Sequence, residues 1–369
     1  MKGKQGLVCM GLLLVLSSCS CHTGKQITAS GLQRKDFQTE VNGQHTDLFT
    51  LSNKQGMEVC ITNYGARVVS ILVPDRNGKR EDVVCGFSTI TEYMEQRQNF
   101  GSTVGRYIGR ILNARFTLDG VEYKLVPNNG KSGHISHGGN PGFADRIWKV
   151  EQADTHRVRL SYLSPDGENG FPGNLKVTLV YSLGEDDNAL DLTYEATTDA
   201  PTVLNLSHHS FFNISGNFTK SVEDQQLWVD ADRFTPYDDK KCVTGEYLPV
   251  AGTPLDFRMP HTIGECIDAD HPQLKVVNGY DHTWELNTKG DDTRPAAWVY
   301  DPASGRKMEI FTTEPGMQIY TGNGLKGKMT GKGGIAYPFR SAVCFETMHF
   351  QDSPNQPEFP STVLRPGEV

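Results

Sequence analysis

Residues 175–198 read LKVTLVYSLGEDDNALDLTYEATT. Leu175, Val177, Leu179 and Tyr181 alternate with other side chains, residues 184–188 (GEDDN) are turn formers, and Leu190, Leu192, Tyr194 and Ala196 alternate back. Successive side chains of a strand point to opposite faces, so a period of two on both sides of a short turn predicts a half-buried antiparallel hairpin. Working outward, Val158, Leu160 and Tyr162 repeat the pattern before a turn at Asp166-Gly167, and Met57, Val59 and Ile61 repeat it near the start. Helical signals are few. Thr89-Ile90-Thr91-Glu92 and Thr262-Ile263-Gly264-Glu265 each read as a capping box ahead of a short helix. No repeat, low-complexity tract or Pro-rich linker divides residues 44–369. The expectation is one all-β domain over 44–369, a large antiparallel β-sandwich with few short helices.

Composition agrees with a folded, turn-rich chain. The 369 residues include 38 Gly and 19 Pro, with 37% hydrophobic and 22% charged residues. A formal charge of -8, with no basic stripe interleaved with aromatics, argues against a nucleic-acid partner and favours a small neutral ligand.

The amino terminus carries an address. Lys2 and Lys4 precede an apolar run from Leu7 to Leu16, then small residues before Cys19. That run of about 10 residues is half the length a membrane-spanning helix needs, so it reads as an export signal. Leu16-Ser17-Ser18-Cys19 resembles a bacterial lipobox, which predicts a signal peptide over 1–18 and lipidation at Cys19. A polar tether is expected over 19–43. The protein is thus expected to be exported, facing the periplasm or cell surface, with membrane contact through the lipid alone. Of eight cysteines, Cys60 and Cys344 sit in apolar runs and read as packing residues, and a Cys242–Cys266 disulfide is open to an exported chain.

Chemistry is sought where polar groups interrupt apolar or Gly-rich segments. In GSTVGRYIGRILNARF, Arg106 and Arg110 stand among glycines and apolar residues, placed either to fork onto vicinal oxygens or to pair inside the core. GHISHGGNPGF offers His134 and His137 on a Gly-rich loop, without the third ligand and helical spacing of a zinc motif. VLNLSHHSFFNISG sets Asn205, Ser207, His208, His209 and Asn213 into an aromatic strand, a density that a polar ligand cavity explains better than a core. GYDHTWEL contributes Asp281 and His282, and SAVCFETMHF places Glu346 between Phe345 and Thr347, as a paired carboxylate or as a general base. Carboxylate, imidazole, guanidinium and aromatic faces together suit sugar hydroxyls. No P-loop, dinucleotide fingerprint or GxSxG elbow is present, which leaves acid–base chemistry.

GRYIGRI, ISHGG, NLSHHSFFN, TPLDFR, GYDHTW, EPGMQIYTGN and CFETMHFQDSPNQPEFPSTVLRPGE follow one another in an order and spacing that resemble the aldose 1-epimerase family, from about Asp47 to the end. The resemblance implies a galactose mutarotase-like sandwich that interconverts the α and β anomers of free hexoses such as galactose and glucose. Position by position, His209 matches the family's catalytic acid and Glu346 its base. Gly109, Arg110, His137, Asp281 and Gln318 match its sugar-binding positions. It further implies neither metal nor organic cofactor, since the reaction moves protons and opens a hemiacetal. With ordinary values near ~4.3 and ~6.5, a Glu and a His start close to the required ionised base and proton-bearing acid. The chain departs from the pattern at Gly109 and His208, where Asn is usual, and these positions leave the sugar preference open.

Three rival readings differ in what they need. A non-catalytic sugar-binding lipoprotein on the same fold could dispense with the acid or base. An epimerase for a phosphorylated sugar would want an added basic cluster, absent beside these motifs. A purely structural lipoprotein would need neither.

Overall fold

The computed structural model describes residues 26–369. The signal peptide expected over 1–18, Cys19, and the first part of the tether lie outside the described residues.

The hairpin forms as read. Leu175–Leu183 pairs antiparallel with Leu190–Thr198, Leu175 opposite Thr198 and Leu183 opposite Leu190. Its neighbours Arg157–Ser164 and Lys149–Ala153 complete a four-stranded sheet. Leu175, Val177, Leu179 and Tyr181 are all fully buried, and they meet Leu51, Val59, Ile61 and Val68 from a second four-stranded sheet, Leu48–Ser52, Glu58–Thr62, Arg67–Pro74 and Arg80–Asp82. Each such side chain contributes roughly 1.5–3 kcal/mol by leaving water.

A second face-to-face packing follows in the carboxy-terminal half. A six-stranded sheet runs Phe211–Phe212, Val343–Met348, Gly316–Tyr320, Asp281–Glu285, Arg233–Thr235, Leu248–Pro249. Its Phe234, Trp284, Met317, Ile319, Val343 and Phe345 pack on Leu227, Val229, Ala297 and Val299 of a four-stranded sheet. The alternate residues of those strands, Thr283, Gln318 and Glu346 among them, face the other way. An all-β antiparallel architecture of packed sheets is therefore what the chain adopts.

Two α-helices occur among the described residues, Ile90–Gln96 and Pro272–Val277. The first begins as expected: Thr89 Oγ1 accepts from Glu92 N at 3.3 Å and Thr89 N donates to Glu92 Oε2 at 2.9 Å. The second expectation is corrected. Thr262 makes no side-chain cap, Ile263–Glu265 is one 3-10 turn, and the α-helix starts at Pro272, whose fixed φ suits a first turn. No described helix is long and apolar enough to cross a membrane.

The fold also starts earlier than Gln44. Leu32 and Phe37, within the expected 19–43 tether, are buried, and Phe37 packs with Leu48, Phe87 and Tyr93. Ala29 N donates to Glu58 Oε1 at 2.7 Å and Thr46 Oγ1 to Phe37 O at 2.7 Å. Two apolar residues five apart give no periodicity to read, so this segment passes for a linker in the sequence. Cys242 and Cys266 are both free thiols, and Cys242 Sγ instead lies 3.3 Å from His134 Nε2.

Candidate active site

Register builds the site. Asp281–Glu285, Gly316–Tyr320 and Val343–Met348 are adjacent, and Thr283, Gln318 and Glu346 stand directly opposite one another across them. Thr283 Oγ1 donates to Gln318 Oε1 at 2.5 Å, and Gln318 Nε2 donates to Asp281 Oδ1 at 2.6 Å. Above this row lies Ser207–His209, paired with Ser102–Val104. His209 Nε2 comes within 3.4 Å of Glu346 Oε1, both side chains less than a tenth exposed. Its ring stacks on Phe211, centroids 5.0 Å apart, while the His137 ring meets it edge-on at 5.6 Å.

Two glycines bring the remaining groups in. At Gly138, φ +78°, a Cβ would fall 1.9 Å from Gly105 O, so only glycine lets the His137 loop lie against the Arg106 turn. His137 N then donates to Gly109 O at 2.9 Å. At Gly109, φ +76°, a Cβ would fall 2.5 Å from Gln351 Cγ.

Gly109, Arg110, His137, His209, Asp281, Gln318 and Glu346 all line one cavity of about 250 Å³. Gln98, Asn99, Tyr320 and Gln351 line it too and were not singled out in the sequence. Gln98 and Asn99 sit in an unpatterned loop, but Gln351 could have been found, since it lies five residues beyond Glu346. A larger, more open groove of about 680 Å³ beside Arg34 and Asp47 holds a His45–Glu40 contact of 3.6 Å that water screens on both sides.

Several polar residues prove structural. Arg106, unlike Arg110, is buried and donates to Ser164, Pro165, Pro172 and Gly173 carbonyls at 2.7–3.0 Å. Of Asn205, Ser207, His208, His209 and Asn213, His209 alone lines the cavity. Asn205 Nδ2 donates to His349 O and Asn213 Nδ2 to Ser341 O, so these amides bind backbone rather than ligand. His208 turns to the opposite face beside Tyr181, as alternation requires.

Burial governs the electrostatics. It pushes His209 well below the ordinary imidazole value, with His137 adding to the effect, and pushes Glu346 well above the ordinary carboxylate value, with Asp281 adding to it. The sequence expectation of near-ordinary values is thus corrected. His137 is pushed down to about 4 by burial and then by Arg110, so it is neutral near pH 7. Asp281 is raised by burial against the opposing pull of Arg110 and Gln318. Each of His209, Cys344 and Glu346 offers one donor atom, all within 4.8 Å of one another, so a thiol two residues before Glu346 completes a set able to hold a soft cation. Burial keeps that thiol protonated.

A family model described as aldose 1-epimerase matches residues 47–369. The galactose mutarotase of Sus scrofa is 39% identical over 320 residues, covering 87% of this chain and 90% of that protein. The aldose 1-epimerase of Escherichia coli (strain K12) is 36% identical over 329 residues, 89% and 93%. Among solved structures, an aldose epimerase homologue from C. elegans superposes with a TM-score of 0.80 at 31% identity, covering 88% of this chain and 95% of that one. A galactose 1-epimerase from Lactobacillus acidophilus gives 0.77 at 28%, covering 90% and 94%. With the match spanning nearly all of the described sandwich and every strand that lines the cavity, the chain belongs to the aldose 1-epimerase family.

Proposed function

We propose that this protein is a mutarotase that interconverts the α and β anomers of free hexoses, galactose and glucose among them, with Glu346 as base and His209 as acid. The observation that carries the assignment is the buried 3.4 Å approach of His209 Nε2 to Glu346 Oε1 in a cavity whose lining is mostly polar, with Phe211 and Met348 as its apolar side chains. Glu346 takes the proton of the anomeric hydroxyl while His209 gives one to the ring oxygen. The C1–ring-oxygen bond breaks, the aldehyde turns about C1–C2, and the freed hydroxyl attacks the other face of C1, returning its proton to His209 while Glu346 gives its proton back to the new anomeric oxygen.

Ring opening converts carboxylate and imidazolium into carboxylic acid and neutral imidazole. Burial disfavours the first pair of states and favours the second, so the dry cavity stabilises the open-chain stage relative to the charged pair, which is the less populated arrangement of the one shared proton before reaction. Arg110, His137, Asp281 and Gln318 orient the hydroxyls, which fixes C1 against the pair.

Polarimetry of freshly dissolved α-glucose or α-galactose tests this. Wild type is expected to accelerate relaxation, and His209→Ala and Glu346→Gln to lose at least about a hundredfold. Rates equal to buffer for all three would overturn the reading. A loss of rate with retained sugar binding separates catalysis from binding.

Export and lipidation at Cys19 are proposed from the LSSC sequence at 16–19. Radiolabelled palmitate should mark the wild-type chain and not Cys19→Ala. Undiminished label would refute the site.

A further inference from the structure

Gln351 is 4% exposed, lies just past the Val343–Met348 strand, and lines the cavity. Its amide bridges two halves of the site. Nε2 donates to Tyr237 OH at 2.6 Å and to Gln318 Oε1 at 3.3 Å, while Oε1 accepts from Arg110 N at 3.3 Å. Tyr237 OH in turn accepts from Gln318 Nε2 at 3.4 Å, and Gln318 holds Asp281. One carboxamide therefore connects the Gly109-Arg110 turn to the Gln318–Asp281 pair, two groups of hydroxyl-facing residues that share no strand. Its stem occupies the space that a side chain at position 109 would fill: a Cβ there would lie 2.5 Å from Gln351 Cγ and 3.1 Å from Cδ.

We propose that Gln351 is a positioning and specificity-determining residue for the sugar, and that position 109 is glycine in order to admit it. The proposal rests on the mutarotase reading. By fixing the Arg110 backbone and the Gln318 amide together, Gln351 sets the spacing between the two groups that hold the hydroxyls. Its hydrogen bonds go to Tyr237, Gln318 and Arg110 and not to Glu346 or His209, so its removal weakens sugar binding and alters discrimination between epimers more than it slows proton transfer. Removing the amide takes one hydrogen-bond partner each from Tyr237 OH, Gln318 Oε1 and Arg110 N, although Gln318 keeps Thr283, Asp281 and Tyr237, and this adds to the cost.

Steady-state kinetics on α-galactose and α-glucose test it with four variants. Gln351→Met keeps the stem over Gly109 and removes all three hydrogen bonds. It should raise KM about tenfold and shift the galactose-to-glucose ratio of kcat/KM at least about threefold, the loss falling mainly on KM. Gln351→Ala should do the same. Gly109→Asn adopts the φ of +76° more readily than other side chains but displaces Gln351, and should lose at least as much. Gly109→Asn with Gln351→Ala puts a carboxamide back into the vacated space and should recover kcat/KM above either single variant. Unchanged KM and ratio in Gln351→Met, a loss confined to kcat, or a double variant no better than Gly109→Asn would each overturn the proposal. Wild type inactive on both sugars would instead sink the mutarotase reading. Melting curves identify any variant that fails to fold, and the isosteric Gln351→Met carries the test in that event.

Discussion

In the proposed mechanism Glu346 and His209 hold one proton between them, and their shared burial sets the pH range over which that holds. An exposed Glu and His would carry one proton only between about 4.5 and 6.5. Burial moves the two in opposite directions, His209 down and Glu346 up. The second proton then arrives only at a pH well below the ordinary imidazole value, and the last one leaves only well above the ordinary carboxylate value. Activity is expected to form a broad plateau through neutral pH, falling on the acid side as His209 takes a proton and on the alkaline side as Glu346 loses one. A pH–kcat/KM profile checks this, and a narrow optimum between 4.5 and 6.5 would contradict it. Glu346 was legible as a residue to explain because a carboxylate between Phe345 and Thr347 is costly without a partner or a task, whereas its pairing with His209 was read from the resemblance to the family. The sharing of labour among the arginines was not legible: Arg106 and Arg110 look alike in GRYIGR, and only their depth tells them apart. Arg106→Leu strips donors from four carbonyls and should cost about 3 kcal/mol or more in urea unfolding, while the folded fraction keeps its KM.

At the scale of elements, strands were legible and helix starts only half so. The hairpin over 175–198 declares itself because one of its faces is wholly buried, which writes the period of two into the sequence. The two capping boxes look equivalent on paper, yet Thr89 caps and Thr262 does not, because Thr262 is held in a strand pairing with Gln226. Thr89→Ala should therefore destabilise by about 1 kcal/mol and Thr262→Ala should not move the denaturation midpoint measurably. Leu179, fully buried between the two amino-terminal sheets, gives the contrasting magnitude: Leu179→Ala should cost about 2–5 kcal/mol.

For the molecule as a whole, the amino-terminal boundary is where sequence reading fell short. Leu32 and Phe37 cover the cluster that contains Phe87, Tyr93 and Phe100, and the last of these pairs edge-on with Phe211 beneath His209. A chain beginning at residue 44 should be less stable than one beginning at 26 by roughly 3–6 kcal/mol, the burial of one Leu and one Phe. Differential scanning calorimetry of the two checks it, and equal melting temperatures would show that residues 26–43 contribute nothing to the packed structure.

The row Thr283–Gln318–Glu346 has a consequence for how this protein can vary over generations. Because Val343 and Phe345 enter one core while Glu346 faces the cavity and Cys344 packs on that same side of the strand, losing one codon within residues 343–345 would turn over every strand residue that follows. Glu346 would be driven among Trp284 and Ile319, and Thr347 would take its place opposite Gln318. Point replacements on the cavity side of these three strands can change which sugar is preferred without disturbing the apolar side. Length changes are confined to the loops between them. The lineage is therefore free to retune its substrate by substitution, and barred from doing so by insertion or deletion in the strands that carry the chemistry.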